Sequence, residues 1–427
     1  MKRLAAVVVV VLVTASAGSA AAATTRLDRH GTVLLDGRRV FPIVLAKGPP
    51  ADGLAEVAAA GVNVVKVGPA GAWDDAAIAE TIAANRAAAA NGLYTWVNLS
   101  SLSTVAPSSW QADQLRQVIG SLEADPSGSA IGLWKGADEP GRFRVRPSSL
   151  RFAYCLGTGR GRRSWCAGEA PADRDHLWVT VQAPRGGIPG LARYSAVTDV
   201  HGINRYPIAI GDADPDLRDV GLWTNMLGWA TPNRAVWTTL QICWTWSYDA
   251  VGNFALPTRE QERFMIYHAI VNGARALAFY GGNNPKCWGP FDAVGGWNWT
   301  FWNGVLEPLV REIGAASPLA PALVQPGTTR ALATSDPMTQ AISRRGRNGE
   351  LWLIAARSGE EREEVVITGL PLWASRADVY TEGRSVSAVK GTLTDSFDRW
   401  AVHVYRFQRS SRVAMKYSRQ GSKPTRR

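Results

Sequence analysis

Gly136-Ala137-Asp138-Glu139-Pro140 is the stretch whose reading decides the fold. It follows the apolar run Ala130-Ile131-Gly132-Leu133-Trp134, so a buried strand ends abruptly in two adjacent carboxylates. Pro140 has no backbone donor and stops the ladder at that point. In barrels of alternating strands and helices, the C-terminal rim is where such groups are gathered. A carboxylic acid at a rim can hand a proton to a leaving oxygen if its surroundings favour the protonated form. Taken alone, Asp138 and Glu139 serve as readily to cap a loop.

Outward from this stretch the chain alternates. Phe41–Leu45, Val62–Val67, Leu93–Leu99 and Ala130–Ala137 read as strands, separated by helical patterns at Ala51–Ala60, Asp74–Asn91 and Ser108–Leu122. Leu177–Gln182, Val197–Ile203, Val236–Ile242 and Ala276–Tyr280 continue the series. Helices are expected at Asp216–Trp229, Arg259–Asn272 and Trp302–Ala315. Eight buried strands in some three hundred residues is the count and size of a (β/α)8 TIM barrel. A doubly wound open sheet is the competing α/β arrangement. After Pro326 the pattern changes to short alternating strands at Thr339–Ser343, Leu351–Ala356, Glu364–Ile367, Asp378–Tyr380 and Val402–Phe407. These predict a small C-terminal β-sandwich.

The ends differ from the body. Met1-Lys2-Arg3, the apolar Leu4–Val13 and the small-residue stretch to Ala23 have the build of a secretory signal, with an uncleaved anchor as the alternative. From Arg409 to Arg427 seven Lys or Arg occur without an acid, a composition expected to be disordered. Of the net charge of +11, two lie at Lys2 and Arg3 and seven in that tail, leaving two for the body. The basicity is therefore an end effect. It predicts no nucleic-acid partner, although the tail is free to contact an anionic surface. No later segment is long and apolar enough to span a bilayer. The expected organisation is a signal segment over 1–23, the barrel over 24–324, the sandwich over 325–408 and the tail over 409–427. An exported protein, extracellular or cell-wall associated, is the implied location.

Four cysteines in an exported chain predict disulfides. Cys155 and Cys166 flank a Gly/Arg-rich loop, and Cys243 then pairs with Cys287 by elimination unless those two remain free buried thiols. No Cys/His spacing suits a metal, and no Gly-x-Gly-x-x-Gly turn follows a strand, so no cofactor is expected. Tryptophan is abundant, at eighteen residues, with Trp244, Trp246, Trp288, Trp297, Trp299 and Trp302 falling in or near the last rim loops. Indole faces stack on sugar rings while the N–H stays available for a hydrogen bond. Several are also expected to pack beneath the loops.

With these features in view, Phe41–Ala316 resembles the clan A (β/α)8 glycoside hydrolases. Their fourth strand carries an Asn-Glu-Pro segment bearing the general acid/base, and Glu139 matches it, with Asp138 in the Asn position. Asp199-Val200-His201-Gly202-Ile203-Asn204-Arg205-Tyr206-Pro207 is similar to the family's sixth strand. Pro257-Thr258-Arg259-Glu260 through Tyr280 looks like other barrel sequences. The resemblance implies a hydrolase acting on a carbohydrate substrate, with the nucleophile on the seventh strand. Here that strand ends in Gln241-Ile242-Cys243, without a carboxylate. Three possibilities follow: an inverting reaction with Asp199 or Asp249 as base, a substrate-assisted reaction with Asp138 orienting an acetamido group, or a non-catalytic carbohydrate- or wall-binding relic. His201, Asn204, Tyr206 and Gln241 are expected to hold sugar hydroxyls or orient the acids, or else to form a rim hydrogen-bond network without a ligand, and Trp244, Trp246, Tyr280, Trp288 and Trp297 are expected as further sugar contacts. Glu260 reads as a helix start rather than a catalytic acid.

Overall fold

The structure, a computed structural model, describes residues 23–208, 215–243, 256–328 and 331–409. Met1–Ala22 of the expected signal segment, the expected tail beyond Arg409, and Trp244, Trp246 and Asp249 lie outside the described residues.

Eight parallel strands close into a barrel: β1 (Ile43–Leu45), β2 (Val64–Val67), β3 (Tyr94–Asn98), β4 (Ile131–Asp138), β5 (Leu177–Gln182), β6 (Val200–Asn204), β7 (Ala235–Gln241) and β8 (Ala276–Tyr280). Neighbours in the ring follow chain order, and β8 pairs with β1 through Ala278↔Val44. The open-sheet alternative is thereby excluded. Val44, Val64, Trp96, Leu133, Val179, Val200, Trp237 and Ala276 fill the interior. Trp96 meets Trp237 edge-to-face with ring centroids 5.9 Å apart. Two indoles thus occupy the lumen that smaller residues fill in most barrels of this size.

The strands are apolar on both faces because the outer face is covered too. Leu115, Val118, Ile119 and Leu122 of α3 (Trp110–Ala124) pack on Trp134 of β4. The helices begin where their caps dictate. Asp74 accepts the Ala77 amide at the start of α2 (Asp75–Ala90), and Thr258 and Gln261 form a reciprocal capping box at α7 (Arg259–Val271). Glu260 lies exposed in that first turn, as the helix-start reading expects.

A small antiparallel sheet of Thr25–Leu27, Val33–Leu35 and Arg38–Val40 precedes the barrel and was not expected from the sequence. Val33 and Leu35 join the lumen cluster, and Thr25 Oγ1 donates to the Gly132 carbonyl at 2.7 Å at the start of β4. This sheet covers the N-terminal end of the barrel lumen.

Beyond residue 326, β9 (Ala333–Thr334), β10 (Thr339–Arg345), β11 (Leu351–Arg357), β12 (Glu363–Thr368), β13 (Arg376–Val379), β14 (Arg384–Val389), β15 (Thr392–Phe397) and β16 (Val402–Phe407) form an antiparallel sheet. It folds over on itself at the β14–β15 hairpin, enclosing Leu353, Val365, Ile367, Leu393, Phe397, Tyr405 and Phe407 as the core of a two-layered β-sandwich. The opposite face of β11, with Trp352, Ile354 and Ala356, packs into the barrel's outer core beside α7. Arg263 pins the junction, donating to Glu312 at 2.7 Å and to the Val402 carbonyl at 2.6 Å.

Both expected disulfides are present, with Cα–Cα separations of 5.2 Å for Cys155–Cys166 and 6.2 Å for Cys243–Cys287. No helix among the described residues is long and apolar enough to cross a membrane.

Candidate active site

Two adjacent strand residues normally face opposite sides of a sheet. The end of β4 breaks that rule. Lys135 is in register with Val179 but Asp138 with Val181, so three residues on β4 span two on β5. This bulge returns Asp138 to the side of Lys135, whose Nζ lies 3.0 Å from Asp138 Oδ2. Gly136 sits inside the bulge, where an added Cβ would lie 1.9 Å from Trp178 Nε1. Glu139 then turns into the left-handed region, at φ 46°, while its amide still donates to the Val181 carbonyl at 2.7 Å. A non-glycine residue in that conformation is a strained one, and such strain gathers at functional sites.

The Glu139 carboxylate is held from two directions. Asn204 Nδ2, at the end of β6, donates to Oε1 at 2.9 Å, and Arg142 Nη1 donates to Oε2 at 2.9 Å. Its side chain is only 14% exposed, whereas that of Asp138 is 51% exposed. Glu139, Arg142, Arg185, Asn204, Arg205 and Tyr206 line a cleft of about 140 Å³. Tyr206 stacks on Tyr280, with centroids 5.8 Å apart and 18° between planes. Burial pushes the Tyr206 hydroxyl well above its ordinary range, and Tyr280 and the charges of Asp138 and Glu139 push it further. Both carboxylates therefore act on one neighbourhood.

Other expected site residues lie elsewhere. Asp199 precedes β6, at the closed end of the barrel, and five strand steps of about 3.3 Å separate it from Asn204 at the rim. It is 3% exposed and fully engaged, accepting from the Tyr154 hydroxyl at 2.7 Å, Arg160 at 2.8 Å and the Trp178 amide at 2.9 Å. It cannot be the base of a rim reaction. His201 faces the outer layer of the barrel, because Val200, Gly202 and Asn204 take the inner positions of β6. Burial holds its imidazole neutral, down to about 3, with the Arg234 charge adding to the effect.

Gln241 is wholly buried and spent on structure: its amide accepts from the Ile208 N–H and donates to the Ile208 carbonyl, both at 2.9 Å. It anchors the loop that carries Arg205 and Tyr206. Trp297 is wholly buried as well, donating to the Lys47 carbonyl at 2.9 Å and packing on Trp299 and Trp302. Trp288 is half-buried, with its N–H on the Gly282 carbonyl at 3.1 Å. Thus Trp297 supports the rim from below, as the packing alternative has it.

Sequence reading missed the cations. Arg142 holds Glu139 from three residues downstream, and Lys135 holds Asp138 from three residues upstream. Lys66, on the inner face of β2, is pushed down to about 7 by burial, then by Lys135 and Lys47, against the pull of Asp138. At the opposite end of the barrel, Glu123, Asp173 and His176 approach closely enough to surround a cation. There the His176 imidazole is raised to about 9 despite its burial, by hydrogen bonds and charge from Asp173 and Glu123. Asp173 is already occupied by Trp134 Nε1 at 2.7 Å and two backbone amides, so the group reads as a buried imidazolium between carboxylates. A larger hollow, about 610 Å³, lies on the sandwich between residues 325–328 and Trp373, where Glu350 is ion-paired with Arg406.

No protein-family model matches the chain, and no curated protein matches it in sequence. Solved structures do. A glycoside hydrolase superimposes over 91% of this chain and 97% of its own, with a TM-score of 0.54 at 13% identity. A glycoside hydrolase family 5 protein from Bacteroides vulgatus covers 90% of this chain and 92% of its own, at 0.54 and 12%. A catalytic mutant of a GH42 β-galactosidase from G. stearothermophilus covers 86% and 98%, at 0.51 and 7%. At such identities the likeness is one of architecture. The chain therefore has the (β/α)8 barrel fold that these glycoside hydrolases share.

Proposed function

We propose that the protein is an exported glycoside hydrolase in which Glu139 is the proton donor and Asp138 the second carboxylate. The observation that carries this reading is the strained Glu139 at the end of β4, held by Asn204 and Arg142 over a rim cleft. The adjacency of Asp138 favours a substrate-assisted reaction. An inverting pair needs its carboxyls roughly 6.5–9.5 Å apart on opposite faces of the sugar. Asp199, at the closed end of the barrel, does not supply that partner, Asp249 lies outside the described residues, and Gln241 offers no nucleophile.

In the proposed course, Glu139 gives its proton to the glycosidic oxygen as the C1–O bond breaks. The carbonyl oxygen of a 2-acetamido group closes onto C1, and Asp138 holds the acetamido N–H. Water then opens the ring at C1, losing its proton to the Glu139 carboxylate, which restores the acid. Tyr206 and Tyr280 supply an aromatic wall for the sugar. Two disulfides support the export reading.

The test is a panel of aryl 2-acetamido glycosides and bacterial wall polysaccharides, assayed with the parent and with Glu139→Gln. The variant is expected to lose orders of magnitude on substrates with poor leaving groups and much less on activated aryl glycosides, which need little protonation. Equal turnover of parent and variant on an unactivated substrate refutes the assignment. Binding by the parent without cleavage of any substrate favours the non-catalytic carbohydrate-binding reading instead.

A further inference from the structure

The barrel mouth beside Glu139 carries a concentration of positive charge that the proposed reaction does not use. Lys66 follows Val64 by two residues on β2, and Lys135 follows Leu133 by two on β4, so both side chains turn toward the lumen. Lys47 lies two residues past the end of β1. Lys135 is 4% exposed, with its ammonium 5.9 Å from the centroid of the Trp96 ring and an ion pair on Asp138. Among the described residues, Lys66 and Lys47 have neither an ion pair nor a side-chain hydrogen bond. The neighbouring cleft adds Arg185, beside Arg142 and Arg205, which are paired with Glu139 and Asp219.

Burying an ammonium is expensive unless something negative meets it. Three lysines at one rim repel one another, and Asp138 answers only one of them directly. The body of the protein is close to neutral, so this is local design rather than general basicity. A neutral sugar needs no such field. What Lys66 and Lys47 lack, among the described residues, is an anionic partner. Ammonium groups serve as point-charge partners for carboxylates and sulfates, and a dry-walled pocket strengthens that attraction.

We propose that Lys66 and Lys47, backed by Lys135, form an anion subsite that binds the acidic group of a charged saccharide beside the Glu139 cleft. The inference rests on the carbohydrate reading of that cleft and narrows its substrate class to acidic sugars.

The test measures binding rather than cleavage. Glucuronate, galacturonate and N-acetylmuramic acid are titrated by ligand-observed NMR against the full chain carrying Glu139→Gln, each beside a neutral counterpart lacking the carboxylate. The acids are expected to bind at least tenfold more tightly than their counterparts. That margin should shrink with added salt and disappear in Lys66→Met. Lys47→Gln, a change nearer the surface, should reduce it in part. Equal binding of acid and neutral forms, failure of every acid to bind, or an intact preference in Lys66→Met would each overturn the subsite. Cleavage of neutral glycosides by the parent, with no preference for acids, would sink the subsite and spare the hydrolase. An acid preference without cleavage of any polymer would do the reverse.

Discussion

Asn204 Nδ2 donates a 2.9 Å hydrogen bond to Glu139 Oε1, so the end of β6 aims the acid that projects from the end of β4. These strands are not neighbours in the barrel; β5 lies between them. The bond therefore crosses the rim and fixes one oxygen of Glu139, while Arg142 fixes the other. Asn204 is partly exposed, so its loss leaves no large void.

Asn204→Ala is expected to lower kcat by roughly tenfold to a hundredfold, because a misplaced proton donor costs rate even when substrate still binds. KM should change little, and the melting temperature should stay within a few degrees of the parent. Steady-state kinetics on an unactivated glycoside, alongside thermal unfolding, checks both. A KM effect with an unchanged kcat would make Asn204 a sugar contact instead.

The left-handed backbone of Glu139 gives a prediction that needs no substrate. Its φ of 46° costs an ordinary L-residue about 1–2 kcal/mol, and glycine close to nothing. Glu139→Ala and Glu139→Gly both remove the contacts to Asn204 and Arg142, so the difference between them isolates the backbone. Glu139→Gly should be the more stable by about 1 kcal/mol, read from denaturant unfolding. Equal stabilities would show that the backbone relaxes and stores no strain there.

The two disulfides should contribute unequally. Chain-entropy reasoning assigns roughly 4 kcal/mol to a bridge closing 44 residues and roughly 3 kcal/mol to one closing 11. Replacing Cys243 and Cys287 with alanine should therefore lower stability more than replacing Cys155 and Cys166. It should also reduce activity, because the first pair ties the end of β7 to the loop after β8. Unfolding midpoints and turnover of the two double variants provide the comparison.

Much of this architecture was legible in the chain, for physical reasons. Runs such as Ile131–Trp134 and Leu177–Val181 are apolar on both faces, which marks a parallel strand covered from both sides. Pro140 after two acids marks where β4 leaves the sheet, and so locates Glu139 at the rim. The same two-sided apolarity hid which residues face inward. His201 and Asn204 lie on one strand, yet only Asn204 reaches Glu139. Asp199 opens its strand rather than ending it, and in a parallel barrel that puts it at the wrong end. The bulge that swings Asp138 beside Lys135 has no local signature, since Trp178, forty residues away in sequence, occupies the space over Gly136. In the sandwich, Arg384–Val389 and Thr392–Phe397 went unread because their outward positions are polar and their apolar residues small or few.

The last prediction concerns pH, and it separates stability from binding at Lys66. The groups facing this ammonium are Lys47 beyond β1 and Lys135 and Asp138 on β4, two cations against one acid. Its folded value is about 7, against 10.5 for the ordinary side chain. Between those values the unfolded chain binds a proton that the folded chain does not, so stability from this group rises with pH across that window. At or below pH 7 the folded protein carries a half-buried charge that Lys66→Met removes. The variant should therefore melt a few degrees above the parent near pH 6, and the gap should close as the pH rises toward 10. Anion binding should run the opposite way: it needs the charged amine, so the parent's preference for acidic sugars should fade above pH 7. A residue that lowers stability while supplying affinity is the signature of a binding group rather than a packing one. Melting curves of parent and variant across pH 6–10, paired with uronate titrations, read both trends. If Lys66→Met is less stable than the parent at pH 6, Lys66 is held by favourable contacts and its charge is part of the fold.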